Sequence, residues 1–334
     1  MVPGKLPTHL NIVAVESHYC SIPEIRVPPG YTFTLSTYFR STPSEVAERI
    51  RDADIVITTT ACFTAAALSA TNAPRLRMIT AMAVGTDAID LAACAARSIT
   101  VLNSPNCNTA TVAEHALALY LAVRRGLVPS MQRLERGEWA ASGTLVRATY
   151  AADAAPRTLK DEVVAVVGFG AVGRYVAQLF SGLGCAVVVA ARKGAAAVAE
   201  GRVEFGEALE RATVVVLCCP RVAETEGLMG TDEFRRMRRD AVLVNVARGG
   251  VVREEALLAA LQSGEIAGAG VDVFTTEPAG PGSSVLVGVE GVNLVMTPHT
   301  AWISMDTVKS YQRVCQENIV EFIEGRVREE RVVV

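Results

Sequence analysis

The chain has 334 residues, half of them apolar, which is more than one core usually organises, so two domains are expected. Thirty-two Lys and Arg stand against 35 Asp and Glu, the net charge is -3 and the basic residues are scattered, so no nucleic-acid partner is expected. Residues 1–5 carry no apolar run leading to a cleavage site, and the apolar stretch 116–123 stops at Arg124-Arg125, so neither a secretory leader nor a membrane partner is expected.

In chain order, residues 10–15 read as a strand. Residues 43–52 read as a helix opened by Ser41 or Thr42, with Val46, Ala47 and Ile50 on one face. Short strands follow at 55–59 and 78–82, then the turn Ala83-Val84-Gly85-Thr86-Asp87, a helix near 91–97 and a strand at 101–102. A long helix is expected over 111–125, entered through Asn108-Thr109 and closed by Arg124-Arg125 at its negative end. Residues 139–157, spotted with Ala, Gly and Pro, read as an irregular arm. Beyond residue 163 the pattern alternates strand, turn and helix, with strands at 163–167, 186–190, 214–218, 241–246, 268–273 and 293–296 and helices at 171–183 and 254–262. Their near-continuous Val, Ala and Leu runs suit a parallel sheet covered on both faces. A last amphipathic helix spans 306–323.

Gly168-Phe169-Gly170-Ala171-Val172-Gly173 sits between a predicted strand and a predicted helix. The first Gly allows the turn, the second lets a pyrophosphate approach the backbone, and the third lets helix and strand pack. An NAD site would end the next strand with a carboxylate for the ribose hydroxyls. Here Ala191, 18 residues past Gly173, holds that position and Arg192-Lys193 follow. A small residue beside two cations suits a 2′-phosphate, so NADP(H) is the expected cofactor and NAD(H) the alternative. Cys219 and Pro220, at the end of the 214–218 strand, are expected to line the nucleotide. Val246 and Ala247 are expected to do the same. Arg221, directly after Pro220, could face the same adenosine end, but on its own it reads as a surface residue.

Arg248, Glu277 and His299 each follow a predicted strand, at the sheet edge where open α/β sheets bind ligands. An Arg can hold a carboxylate and polarise a carbonyl. A His can deliver a proton, with a carboxylate setting its tautomer and raising its pKa. His115, in mid-helix after Glu114, reads as a core or hinge residue. Eight Cys form no CxxC pair and the four His do not cluster with them, so reduced thiols, a cytoplasmic location and no metal are expected.

These segments together resemble the D-2-hydroxyacid dehydrogenase family over nearly the whole chain. The likeness rests on Ala83-Val84-Gly85-Thr86-Asp87 with Ile89-Asp90, on Asn108-Thr109 through Val112-Ala113-Glu114-His115, on the Gly loop, and on Arg248, Glu277 and His299 in family order, with 29 residues from Arg248 to Glu277. The resemblance implies an α/β fold of two Rossmann-like domains, each a doubly wound parallel sheet, with the active site in the interdomain cleft. It implies a discontinuous substrate domain (1–105 with 300–334) and a coenzyme domain (106–299). It also implies a homodimer built through the coenzyme domains, with the long helix and the 139–157 arm contributing.

The implied roles follow residue by residue. Arg248 holds substrate, Glu277 partners the imidazole, and His299 is general acid in reduction. Asp272 hydrogen-bonds the nicotinamide carboxamide, and the Val84 and Gly85 amides grip the substrate carboxylate. Trp302 is read as pocket wall or as packing. Glu277 differs from the Gln of formate dehydrogenases, and the 83–85 turn lacks the Lys of phosphite dehydrogenases. His299-Thr300-Ala301-Trp302, with the cationic turn, most resembles the glyoxylate/hydroxypyruvate reductase branch. The 2-keto or 2-hydroxy acid itself is left open. The rival expectation is a nucleotide-sensing scaffold, like the corepressors built on this fold.

Overall fold

The computed structural model describes residues 6–146 and 155–334. In chain order its elements are β1 (His9–Ala14), β2 (Thr32–Thr37), α1 (Pro43–Arg49), β3 (Ile55–Thr58), β4 (Met78–Ala81), α2 (Leu91–Ala96), β5 (Thr100–Leu102), α3 (Thr109–Arg124), α4 (Leu127–Glu135), α5 (Glu138–Ser142), β6 (Val163–Val167), α6 (Ala171–Gly182), β7 (Ala186–Val189), α7 (Phe205–Arg211), β8 (Val214–Leu217), α8 (Thr231–Arg236), β9 (Val242–Asn245), α9 (Glu254–Ser263), β10 (Gly268–Val271), β11 (Leu294–Met296) and α10 (Met305–Ile323). They fall into two compact units, Met1–Asn108 with Ile303–Val334, and Thr109–Trp302. The sequence expectation set the breaks after residues 105 and 299.

The first unit holds a parallel sheet in the order β2-β1-β3-β4-β5. Thr42, not Ser41, caps α1. Its hydroxyl accepts from Glu45 N, and the Glu45 carboxylate accepts from Thr42 N at 2.8 Å. Strand β2 was not expected. It is an edge strand that buries little, so its Thr-Phe-Thr-Leu-Ser-Thr sequence leaves no apolar run to read. The C-terminal helix α10 returns to this sheet, where Asn318 Nδ2 donates to Thr80 Oγ1 at 3.1 Å and to Asn103 O at 3.2 Å.

The second unit is a six-stranded parallel sheet ordered β11-β10-β9-β8-β6-β7, with apolar clusters on its two faces. From β6 the chain moves to β7 on one side and then to β8 on the other. The C-terminal ends of β6 and β8 therefore flank the switch point where doubly wound sheets bind ligands. Helix α3 does more than carry a cation at its negative end. Arg124 is buried and ion-paired with the buried Glu162 at 2.7 Å, and it also donates to Asp240 O and Thr213 O. Tyr120 OH donates to the same carboxylate at 2.9 Å, and burial pushes that phenol's pKa up.

The expected irregular arm is corrected in part. Trp139 lies on α5, a short helix between Gly137 and Gly143, inside the stretch from residue 139 that had read as irregular chain. Residues 147–154 of that arm lie outside the described residues. No helix among the described residues is long and apolar enough to cross a membrane.

Candidate active site

The Gly loop leaves β6 at the switch point and opens α6. The close approach expected of the third glycine is strict, because a Cβ at Gly173 would stand 2.0 Å from Gly168 O. A Cβ at Gly170 would instead meet nothing within 4 Å, so this face of the loop is bare. The residues present thus fit a dinucleotide, with an open backbone cradle at the start of a 12-residue helix whose first N–H groups attract phosphate. Ala171 and Val172 form the first turn of that helix. The side chains of Cys219, Val246 and Ala247 are buried in the core clusters, so their part in a nucleotide site falls to backbone, while Pro220 is exposed at the end of β8.

At the end of β7 the small residue is Ala191, as read from the sequence. Lys193 is paired with Glu233 at 2.8 Å, which draws on the ammonium expected for the phosphate. The Arg192 side chain is exposed and has no ion-pair partner among the described residues. Arg221 pairs with Glu226 at 2.9 Å.

Arg248, Glu277 and His299 all lie in the second unit, after β9, β10 and β11. The Arg248 turn is set by the buried Asn245, whose Oδ1 accepts from Ala247 N at 3.1 Å and whose Nδ2 donates to Arg248 O at 3.4 Å. Glu277 Oε1 accepts from Phe274 N at 2.9 Å, and Oε2 faces His299 Nδ1 at 2.6 Å. Occupying Nδ1 in this way leaves Nε2 for chemistry.

The hydrogen bond to Glu277 is the largest influence on His299. With the charges of Glu277 and Asp272 it raises the imidazole pKa above its ordinary 6.5, against burial and the Arg248 charge. Burial acts most strongly on Glu277 and would raise it, but the bonds from His299 and Phe274, with the His299 and Arg248 charges, hold it below the usual carboxylate range. The site thus holds a stabilised imidazolium–carboxylate pair beside an Arg.

Asp272 anchors this loop. Nearly fully buried, it accepts from Thr297 Oγ1 at 2.6 Å, Thr300 N at 2.9 Å and Ala301 N at 3.0 Å, while His299 N donates to Asp272 O at 2.8 Å. Those bonds hold His299 at φ +53, a left-handed conformation that a non-glycine residue rarely adopts. His115, read as core or hinge, reaches the same anchor from α3, with Nε2 at 2.9 Å from Thr297 Oγ1. The roles of Asn245 and Thr297 were not drawn from the sequence, although both lie inside the segments that it singled out. Trp302 packs half-buried against the core cluster that includes α3. Val84 and Gly85 lie in the first unit, directly after β4, where Asn103 Nδ2 donates to Val84 O at 2.8 Å.

The chain is similar to known proteins over most of its length. Residues 117–301 match the D-isomer specific 2-hydroxyacid dehydrogenase, NAD binding domain family. A glycerate dehydrogenase of Methylorubrum extorquens is 34% identical over 93% of this chain and 95% of its own. A glyoxylate/hydroxypyruvate reductase B of Salmonella paratyphi B is 34% identical over 76% of this chain and 77% of its own. Among solved structures, an NADPH-dependent glyoxylate/hydroxypyruvate reductase of Sinorhizobium meliloti, in complex with NADP and malonate, is similar with a TM-score of 0.72 and 25% identity, covering 93% of this chain and 92% of that one.

Proposed function

The chain belongs to the D-isomer specific 2-hydroxyacid dehydrogenase family and is an oxidoreductase with an NAD(P)-binding domain, and from that premise we propose that it is an NADP(H)-preferring reductase of small 2-keto acids. The observation that carries the chemistry is His299 held through Nδ1 by Glu277 at 2.6 Å, with Arg248 close enough to act electrostatically on both. The nicotinamide, when bound, supplies or accepts the hydride.

In reduction, Arg248 holds the substrate carboxylate and polarises the keto group. Protonated His299 gives its Nε2 proton to the ketone oxygen, and Glu277 stabilises the imidazolium until then. In oxidation the neutral imidazole takes that proton back. Val84 and Gly85 are proposed to add backbone amides for the carboxylate, and Trp302 to wall the substrate. Asp272 is proposed to meet the nicotinamide carboxamide with whatever acceptor capacity its loop-anchoring bonds leave. The preference for NADP(H) is supported by Ala191 and exposed Arg192 at the end of β7, and the branch by the named activities of the relatives.

Arg248→Ala separates this reading from a nucleotide-sensing scaffold. The expected result is NADPH affinity within about twofold of wild type and kcat/KM for a 2-keto acid lower by at least about 10²-fold, the scale of losing a charge that acts on the reacting group. A wild-type chain that binds nucleotide but turns over no 2-keto acid would favour the scaffold.

A homodimer is part of the same proposal. Leu127, Met131 and Leu134 line one stripe of α4 at 49%, 60% and 53% exposure, and Trp139 on α5 is exposed as well. An apolar stripe of this kind needs a cover, and a second copy of the chain supplies one. Sedimentation velocity is expected to give twice the chain mass; a monomer at micromolar concentration would contradict it. A cytoplasmic location is proposed from the eight free thiols.

A further inference from the structure

Beyond the turn after β7, a further cation lies at the nucleotide site. The chain returns past that strand at Arg202-Val203, where Val203 N donates to Val189 O at 2.9 Å and Ala191 N donates to Val203 O at 2.7 Å. Arg202 is thereby fixed beside Ala190 and Ala191, the residues that close β7 where the adenosine ribose is read in this fold. Its Nη1 donates to Ala190 O at 3.3 Å, and its Cζ stands 5.7 Å from the centre of the Phe169 ring in the Gly loop. Arg174, in the first turn of α6, stands 5.4 Å from the same ring.

Among the described residues, Arg202 makes its polar contact with a neutral carbonyl and its other contact with a ring face, and no carboxylate pairs with its charge. The adjacent Glu204 is engaged elsewhere, since it caps α7 by accepting from Glu207 N at 2.8 Å. Lys193 differs in being paired with Glu233. A guanidinium has five N–H donors, and one committed to Ala190 O leaves a fork able to take two phosphate oxygens.

We propose that Arg202 is a specificity-determining residue that, with Arg192, holds the 2′-phosphate of NADP(H). This rests on the NADP(H) reading above and adds to it a residue 11 positions past Ala191 that the strand–turn pattern does not reach. Phe169 serves as the platform that keeps the guanidinium plane in place.

The test is equilibrium binding of NADPH, NADH, adenosine 2′-phosphate and adenosine 5′-phosphate to wild type, Arg202→Gln, Arg202→Lys and Arg192→Gln. Arg202→Gln is expected to raise Kd for NADPH and the 2′-phosphate about 10- to 100-fold, the scale of a charge-assisted hydrogen bond, and to leave NADH and the 5′-phosphate within about twofold. Arg202→Lys, which keeps the charge but loses the fork, is expected to fall between, and it carries the test if Arg202→Gln does not fold. Equal weakening of all four ligands would mean that Arg202 only supports the Gly loop, and would overturn the proposal. So would no change at all. If Arg192→Gln discriminates against NADPH and Arg202→Gln does not, this proposal fails and the NADP(H) reading stands. A wild type that binds NADH at least as tightly as NADPH overturns both.

Discussion

His299→Asn is expected to lower reductive kcat/KM by about 10²- to 10⁴-fold, the contribution typical of a positioned general acid, while Kd for the nucleotide stays within about twofold. The companion variant Glu277→Gln tests how the acid is tuned. Glu277 accepts a hydrogen bond from Nδ1–H of His299 and raises its pKa above 6.5, so the imidazolium, the form that can donate, persists to higher pH. Reduction in wild type should therefore persist above pH 6.5 and fall as pH rises through that raised pKa. A neutral amide removes the largest raising influence and leaves burial and Arg248, which act the other way. The falling limb of the Glu277→Gln profile should then move to lower pH, with the greater loss above pH 6.5 and the smaller loss below it. A profile that keeps its shape and drops uniformly would show that Glu277 only supports the loop.

Gly249→Ala is expected to damage the site from beneath. A Cβ at Gly249 would stand 1.7 Å from Phe274 O and 2.8 Å from Thr275 N, both backbone atoms. That backbone is itself pinned, because Thr275 N donates at 2.7 Å to the buried Glu254, which also takes the Ser284 hydroxyl. Either the Arg248 turn or the 274–277 segment has to move, and Phe274 N is the donor that holds Glu277. Overpacking of this kind costs about 1–3 kcal/mol, a fall in Tm of several degrees for a domain of this size. A displacement of about 1 Å at the reacting groups would lower kcat/KM about 10²-fold. Thermal melts and initial rates check both, and a variant with unchanged kinetics would show that the turn is not as tightly packed as this geometry requires.

The strands of the second unit were legible because a parallel sheet covered on both faces needs unbroken apolar runs, and Val163–Val167 and Val214–Leu217 supply them. The Gly loop was legible for the same kind of reason, since the space at Gly173 admits one residue type. Strand β2 was not, because an edge strand leaves little apolar pattern. Within the site, the three charged residues stood out by type and position, but what aims them did not. Thr297 acts through a side-chain bond to Asp272, a partner 25 residues away that is fixed only once neighbouring strands align, and Asn245 acts through a local turn bond to Arg248 O that the residue type alone does not announce. Arg202 escaped notice because its relevance depends on Val203 returning to pair with Ala190, a contact that no local periodicity encodes. Lys193 shows the converse: its place in the turn was readable, but its pairing with Glu233 from another helix was not.

The most direct measurement is the initial rate of NADPH and of NADH oxidation with glyoxylate, hydroxypyruvate, pyruvate, a branched 2-keto acid and phenylpyruvate, with the configuration of any chiral product determined. Faster turnover with NADPH than with NADH on at least one of these acids, giving the D-2-hydroxy acid wherever the product is chiral, is the predicted result. Nucleotide binding without oxidation of either cofactor by any of these acids would contradict the account.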